Sequence, residues 1–228
     1  MNHLNEIIIG CSYIACICIF VYRFKYAARY GVLLLGLFLF LDVIFVGLAA
    51  LTHHFLFPNL PEKSSLFLFN NILLIFQFGI FLLLYSKYKT IKSQFSIALF
   101  SIFLVIWFIE FSIKGGQEVV ILNFTTIFLK VTIVALVWLY LFELYSKPLT
   151  FYGQIPFFWI ALGFLIYAVI TAKSSIPQIS KEADTMSKNL LLTIDATVEA
   201  LTYIFYAIGF WKTKDWVLQN QEKIWEQG

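Results

Sequence analysis

Lys130 is the only charged residue in an apolar run from Asn123 to Tyr140. An ammonium at the centre of a membrane helix costs about 2.5–3.5 kcal/mol on insertion scales, so the chain must supply something that offsets it. Three carboxylates sit within other apolar runs: Asp42, Asp195 and Glu199. A buried lysine facing carboxylates can lock helices by ion pairing, hold a charged ligand or relay protons. With more acids than lysines in the layer, one acid is expected to be protonated, or to meet a cation or a ligand amine.

Helical spacing groups these residues with other polar side chains. Asn123, Thr126 and Lys130 fall on one face, as do Asn70 and Gln77. Gly163, Tyr167 and Thr171 form a third stripe, and Asp195, Glu199, Thr202 and Tyr206 a fourth. At about 1.5 Å per residue, Lys130, Asp42, Gln77 and Glu199 lie at a common depth of roughly 15–18 Å, near the midplane of a bilayer. The pattern predicts an outward-facing polar pocket built from Asn70, Asn123, Thr126, Tyr167 and Asp195, floored by Lys130, Asp42, Gln77 and Glu199. A packing lock with no ligand is the plainer reading of the same residues. Whether Lys130 pairs with Glu199 or with Asp42 stays open.

The elements that must position this layer are apolar runs. Hydrophobic residues make up 61% of the chain and charged ones 13%, against about 45–50% and about 25% in soluble domains. The mean hydropathy is +0.86. The runs are continuous, without the alternation of a transmembrane strand, which favours helices over a barrel. The expected fold is an all-α membrane protein: a seven-transmembrane-helix bundle forming a single domain over 1–228. Its spans are placed at about 6–22, 31–52, 65–86, 95–112, 119–145, 156–173 and 189–211, with a short cytoplasmic tail at 212–228. Ten lysines and arginines fall in the first, third and fifth connectors and the tail, and five on the other side, Lys130 being the sixteenth. The positive-inside rule then puts the N-terminus outside and the C-terminus in the cytoplasm.

Other signals are local. Cys11, Cys16 and Cys18 share the first apolar run, so they cannot bridge loops and read as thiols packed in a helix. The adjacent His53 and His54 lack a third ligand nearby, and no metal or other cofactor is expected. Glu110 and Lys114 are one helical turn apart and read as a surface pair. Trp107, Trp138 and Trp159 read as packing residues or interfacial anchors. The tail from Asp215 to Trp225 has the composition of a short amphipathic helix or of a contact for a cytoplasmic partner.

Several chemistries lack their residues. The chain has three histidines, none in a span, and no phosphate loop, serine elbow or His-Glu-x-x-His, so no catalytic residue is assigned and no enzyme is expected. Nothing points to nucleic acid. Seven spans with an outside N-terminus are the topology of microbial rhodopsins and G-protein-coupled receptors. A retinal lysine belongs in the last helix, however, and that run has none between Lys188 and Lys212. The receptor signatures Asp-Arg-Tyr and Asn-Pro-x-x-Tyr are also missing.

A closer match lies in the run Gln154-Ile-Pro-Phe-Phe-Trp-Ile-Ala-Leu-Gly-Phe-Leu-Ile-Tyr167, together with Tyr203 to Lys212. On these residues the chain resembles uncharacterised small seven-transmembrane proteins of Bacteroidetes-type bacteria, often encoded beside sensor histidine kinases. The resemblance implies a multi-pass protein of the bacterial inner membrane with a sensor kinase or other signalling partner. The expected function is receptor- or sensor-like, with a small-molecule ligand in the outward pocket. The alternative is a small secondary transporter or proton-coupled carrier using the same charged layer. Val131 to Leu141 is nearly all apolar, which favours an inner half that stays closed, as a receptor needs and a carrier does not.

Overall fold

The computed structural model describes residues 3–40, 44, 62–87, 91–114, 123–146, 152–171 and 185–219. Among these residues the chain is all α. Helix α1 is His3–Tyr22 and α2 is Phe24–Tyr30; residues 33–40 are helical and are called α3. Helix α4 is Glu62–Lys87, α5 is Ser93–Lys114 and α6 is Asn123–Tyr145. A 3-10 turn at Tyr152–Gln154 leads into α7, Pro156–Thr171, and α8 is Thr185–Gln219. The chain divides into two compact units, one of Met1–Leu33 with Lys130–Gly228 and one of Leu34–Leu129.

The seven-span expectation is not met. Among the described residues, two helices are long and apolar enough to cross a membrane: Ser93–Ile113 and Phe124–Tyr145. A third is added if the bent pair Ile7–Tyr22 and Phe24–Tyr30 counts as one broken span. These are the apolar helices of a multi-pass membrane protein, but fewer than the runs suggested. The physical reasons differ from helix to helix. Helix α7, Pro156–Thr171, has 16 residues and reaches only about 24 Å against a hydrocarbon core of about 30 Å. In the fully described part of α8, 196–219, Glu199, Lys212, Lys214 and Asp215 dilute the apolar content. Half of the second expected span, 31–52, lies outside the described residues.

In the first unit α8 is packed on both sides. Tyr13 meets Tyr203, Phe20 meets Phe210 and Tyr22 meets Trp211, in the same order along both helices, so α1 and α8 run parallel. Helix α7 runs antiparallel to α8, with Gly163 against Phe205 and Tyr206 and Gly209 against Ile160 and Pro156. A Cβ on Gly209 would fall 2.6 Å from Ile160 Cγ1 and 3.0 Å from the Pro156 carbonyl oxygen. The glycines are what let the two backbones come this close, as small residues do between membrane helices. The far half of α6 joins this unit through Tyr140, whose ring stands edge-on to Phe157 at 4.9 Å.

Helices α1 and α2 bend by 79° at Arg23. The backbone stays hydrogen-bonded through the bend: the Arg23 N–H donates to Ile19 O, and Arg23 O accepts from Tyr26 and Ala27 N–H. Arg23, Ala27 and Tyr30 form the buried stripe of α2 at helical spacing, while Phe24, Lys25, Ala28 and Arg29 are exposed. Gly31, at φ 93°, ends the helix in the left-handed conformation that glycine adopts without strain, its N–H donating to Ala27 O.

The second unit is an aromatic core on antiparallel α4 and α5. Phe78 packs against Phe100, Phe103 and Phe128, and Trp107 Nε1 donates to Asn71 O at 3.1 Å.

Candidate functional site

Lys130 opens the far half of α6 and is buried, at 6% exposure. With Val131, Val134, Ala135, Trp138 and Leu139 of α6 and Ala168 and Val169 of α7, it lines a cavity of about 570 Å³. Apart from the lysine, every lining side chain is apolar. Val131, Trp138, Leu139 and Val169 are exposed, so the cavity opens sideways along the apolar flank of α6. The volume lies within the roughly 300–1,000 Å³ of small-molecule sites.

Helix register places the other first-unit candidates near the same level. Lys130 shares its cavity with Ala168, next to Tyr167, while Gly163 and Phe164 one turn earlier on α7 face Tyr206 of α8. Following α8 back from Tyr206 for the same distance reaches Thr202 and then Glu199. Tyr167 and Glu199 are half-buried, and Thr202 and Tyr206 are buried. Glu199, Thr202 and Tyr206 of the polar stripe read on this helix are therefore turned toward the interior of the unit. Glu199 accepts a hydrogen bond from Tyr203 Oη at 3.3 Å, and the Tyr203 ring packs against Tyr13 of α1. Its carboxylate thus sits toward the α1 side of α8. Asp195 is on the same helix, and its side chain lies outside the described residues.

The remaining candidates belong to the second unit. Gln77 on α4 and Thr126 on α6 are half-buried. Asn70 and Asn123 hold helical positions, but their side chains are outside the described residues, as is Asp42 entirely. His53 and His54 are outside them too. Among the described residues no three His, Cys, Asp or Glu side chains are grouped as a metal site requires.

Two residues gain roles that spacing alone did not show. Glu110, read as a surface partner of Lys114, is 5% exposed and turned to the first turn of α6. Its Oε1 accepts from Phe124 N–H at 3.1 Å, and its Oε2 accepts from Thr125 N–H at 2.9 Å and from Thr125 Oγ1 at 2.8 Å. The first N–H groups of a helix have no partner within it, and the helix dipole favours an anion there. The signal in the sequence was an acid at the end of one run followed by Asn-x-Thr at the start of the next. Arg23, counted only as a connector charge, is likewise buried at 6% exposure. Its place on the Arg23, Ala27, Tyr30 spacing was the available clue.

No family model, curated protein or solved structure matches the chain.

Proposed function

We propose that this chain is a receptor- or sensor-like membrane protein whose ligand site is the cavity beside Lys130. The observation that carries the reading is a buried lysine lining an otherwise apolar cavity in a helix fit to span a membrane. Such a site suits a ligand with an apolar body and an acidic head that arrives through the lipid. An ammonium has three donors, so Lys130 can serve a protein acceptor and still meet a ligand. The polar groups Tyr167 and Glu199 of the same unit, with Asp195 on the helix of Glu199, complete the proposed polar layer. The resemblance at Gln154 to Tyr167 supports a place in the bacterial inner membrane and a sensor kinase or similar protein as signalling partner.

Palmitate and its methyl ester are suitable probes, since they differ only in the acidic head. Detergent-solubilised protein is expected to bind palmitate about tenfold tighter than the ester, the ratio of one charge-assisted hydrogen bond. Lys130→Met, close in volume, should remove that preference while leaving the apolar contribution. Equal binding of both probes by the wild type would defeat the reading, because the cavity would then be a plain acyl groove. Uptake of palmitate into proteoliposomes, abolished by Lys130→Met, would instead establish the carrier alternative.

A further inference from the structure

The bend between α1 and α2 holds a cation whose surroundings the proposed ligand site does not explain. Arg23 is buried, and its guanidinium carbon lies 4.2 Å from the Trp211 ring centroid and 4.9 Å from that of Tyr22. Tyr22 and Trp211 are nearly parallel, with centroids 6.3 Å apart and planes 20° apart. The two rings hold the flat face of the guanidinium by cation–π contact. Its Nε is fully buried and has no hydrogen-bond partner. A buried guanidinium N–H without an acceptor is costly, and the planar fork of arginine matches the two oxygens of a phosphate.

The surroundings say which phosphate. Tyr22 is 71% exposed and Trp211 47% exposed, so the aromatic clamp stands at the surface with its cation beneath. This is the amphipathic arrangement of aromatic side chains at a membrane interface. Lys25 and Arg29 are exposed on α2, and Lys212 and Lys214 are half-buried on the adjoining stretch of α8. Within 22–31 and 209–219 the one acid is Asp215, which is exposed. Helix α2 turns away from α1 by 79° and carries a buried stripe opposite a basic exposed face. It is anchored at its far end, where Tyr30 stands edge-on to Trp216 at 4.9 Å and Tyr30 Oη accepts from Phe157 N–H at 3.2 Å. Arg23 is therefore held in place before any ligand arrives.

We propose that the α1–α2 bend and the adjoining end of α8 form a binding site for the phosphate of an anionic phospholipid headgroup, with Arg23 as its recognition residue and Lys25 and Lys212 beside it. The site is separate from the Lys130 cavity and does not depend on what that cavity binds.

Native mass spectrometry of the detergent-solubilised chain, with equal amounts of dioleoyl phosphatidylglycerol and dioleoyl phosphatidylcholine, tests the assignment. The wild type should retain phosphatidylglycerol preferentially. Arg23→Gln should lower that preference about tenfold, the ratio carried by a charge-assisted hydrogen bond. If Arg23→Gln fails to fold, Lys25→Gln and Lys212→Gln decide the matter, because neither side chain is buried. Each should lower the preference about fivefold, as for a basic residue near an anionic membrane surface. Equal retention of the two lipids by the wild type overturns the site, and so does a preference that none of these substitutions moves. Full displacement of phosphatidylglycerol by millimolar inorganic phosphate overturns the lipid assignment and makes this a free-phosphate site.

Discussion

At the scale of single residues, buried charges account for the features that spacing read best and worst. Lys130 was legible because a lysine within an apolar run has no innocent place in lipid, and the structure finds it buried. Glu110 was not, because a carboxylate near a span end has a cheaper explanation in its neighbour Lys114. What placed it was tertiary: the start of α6 comes back to the end of α5. The Glu110 carboxylate accepts three hydrogen bonds there, two of them from N–H groups that the helix cannot satisfy itself. Glu110→Ala should therefore destabilise the fold by about 2–3 kcal/mol, with unpaired N–H groups left in a buried site. Glu110→Gln keeps one carbonyl acceptor and should cost about half as much. Thr125→Val removes only the hydroxyl bond and should cost about 1 kcal/mol. Unfolding midpoints in a detergent series would rank the three, and an order with Thr125→Val worst would show that the carboxylate is not the cap.

At the scale of elements, the helices themselves were legible and their relation to the membrane was not. The apolar runs at 6–22, 65–86, 95–112, 119–145 and 156–173 correspond to α1, α4, α5, α6 and α7 within a few residues. Helix α2 was missed because Arg23, Lys25 and Arg29 read as connector charges, although successive turns bury Ala27 and Tyr30. The contact between α7 and α8 was legible only in part: the polar stripes put Gly163 and Tyr206 on inward faces, but nothing local marked Gly209 as facing a neighbour. The structure distinguishes Gly163 from Gly209. A Cβ at Gly163 meets the Tyr206 ring, with its nearest atom at 2.8 Å, whereas at Gly209 it meets a β-branched side chain and a backbone carbonyl. A ring edge yields more readily than a carbonyl fixed in a helix. Gly209→Ala should cost more than Gly163→Ala, within the roughly 1–3 kcal/mol typical of overpacking. Ile160→Ala should recover part of the Gly209→Ala loss, because Ile160 Cγ1 is the nearest obstacle, but not all of it, because the Pro156 oxygen remains. Thermal unfolding of the two single variants and the double variant measures this coupling, and strictly additive losses would argue against the close approach.

At the scale of the whole molecule, the decisive property is which helices cross the bilayer. Composition alone suggested that every apolar run does so, but crossing depends on length and on unbroken apolar content. Ser93–Ile113 and Phe124–Tyr145 have 21 and 22 residues, about 32–33 Å of helix, enough for a hydrocarbon core of about 30 Å. The Glu110 bonds to Phe124 and Thr125 join the end of α5 to the start of α6, so two crossings must return the chain to the side it left. Single cysteines in a background with Cys11, Cys16 and Cys18 replaced can report this through a membrane-impermeant maleimide. Ser93→Cys and Ser146→Cys, both exposed positions at the outer ends of the pair, should label from one side of sealed vesicles. Lys114→Cys, at the join, should label only from the other. Labelling of all three from the same side would mean that neither helix crosses, and the cavity beside Lys130 would lose its claim to be a site reached through the lipid.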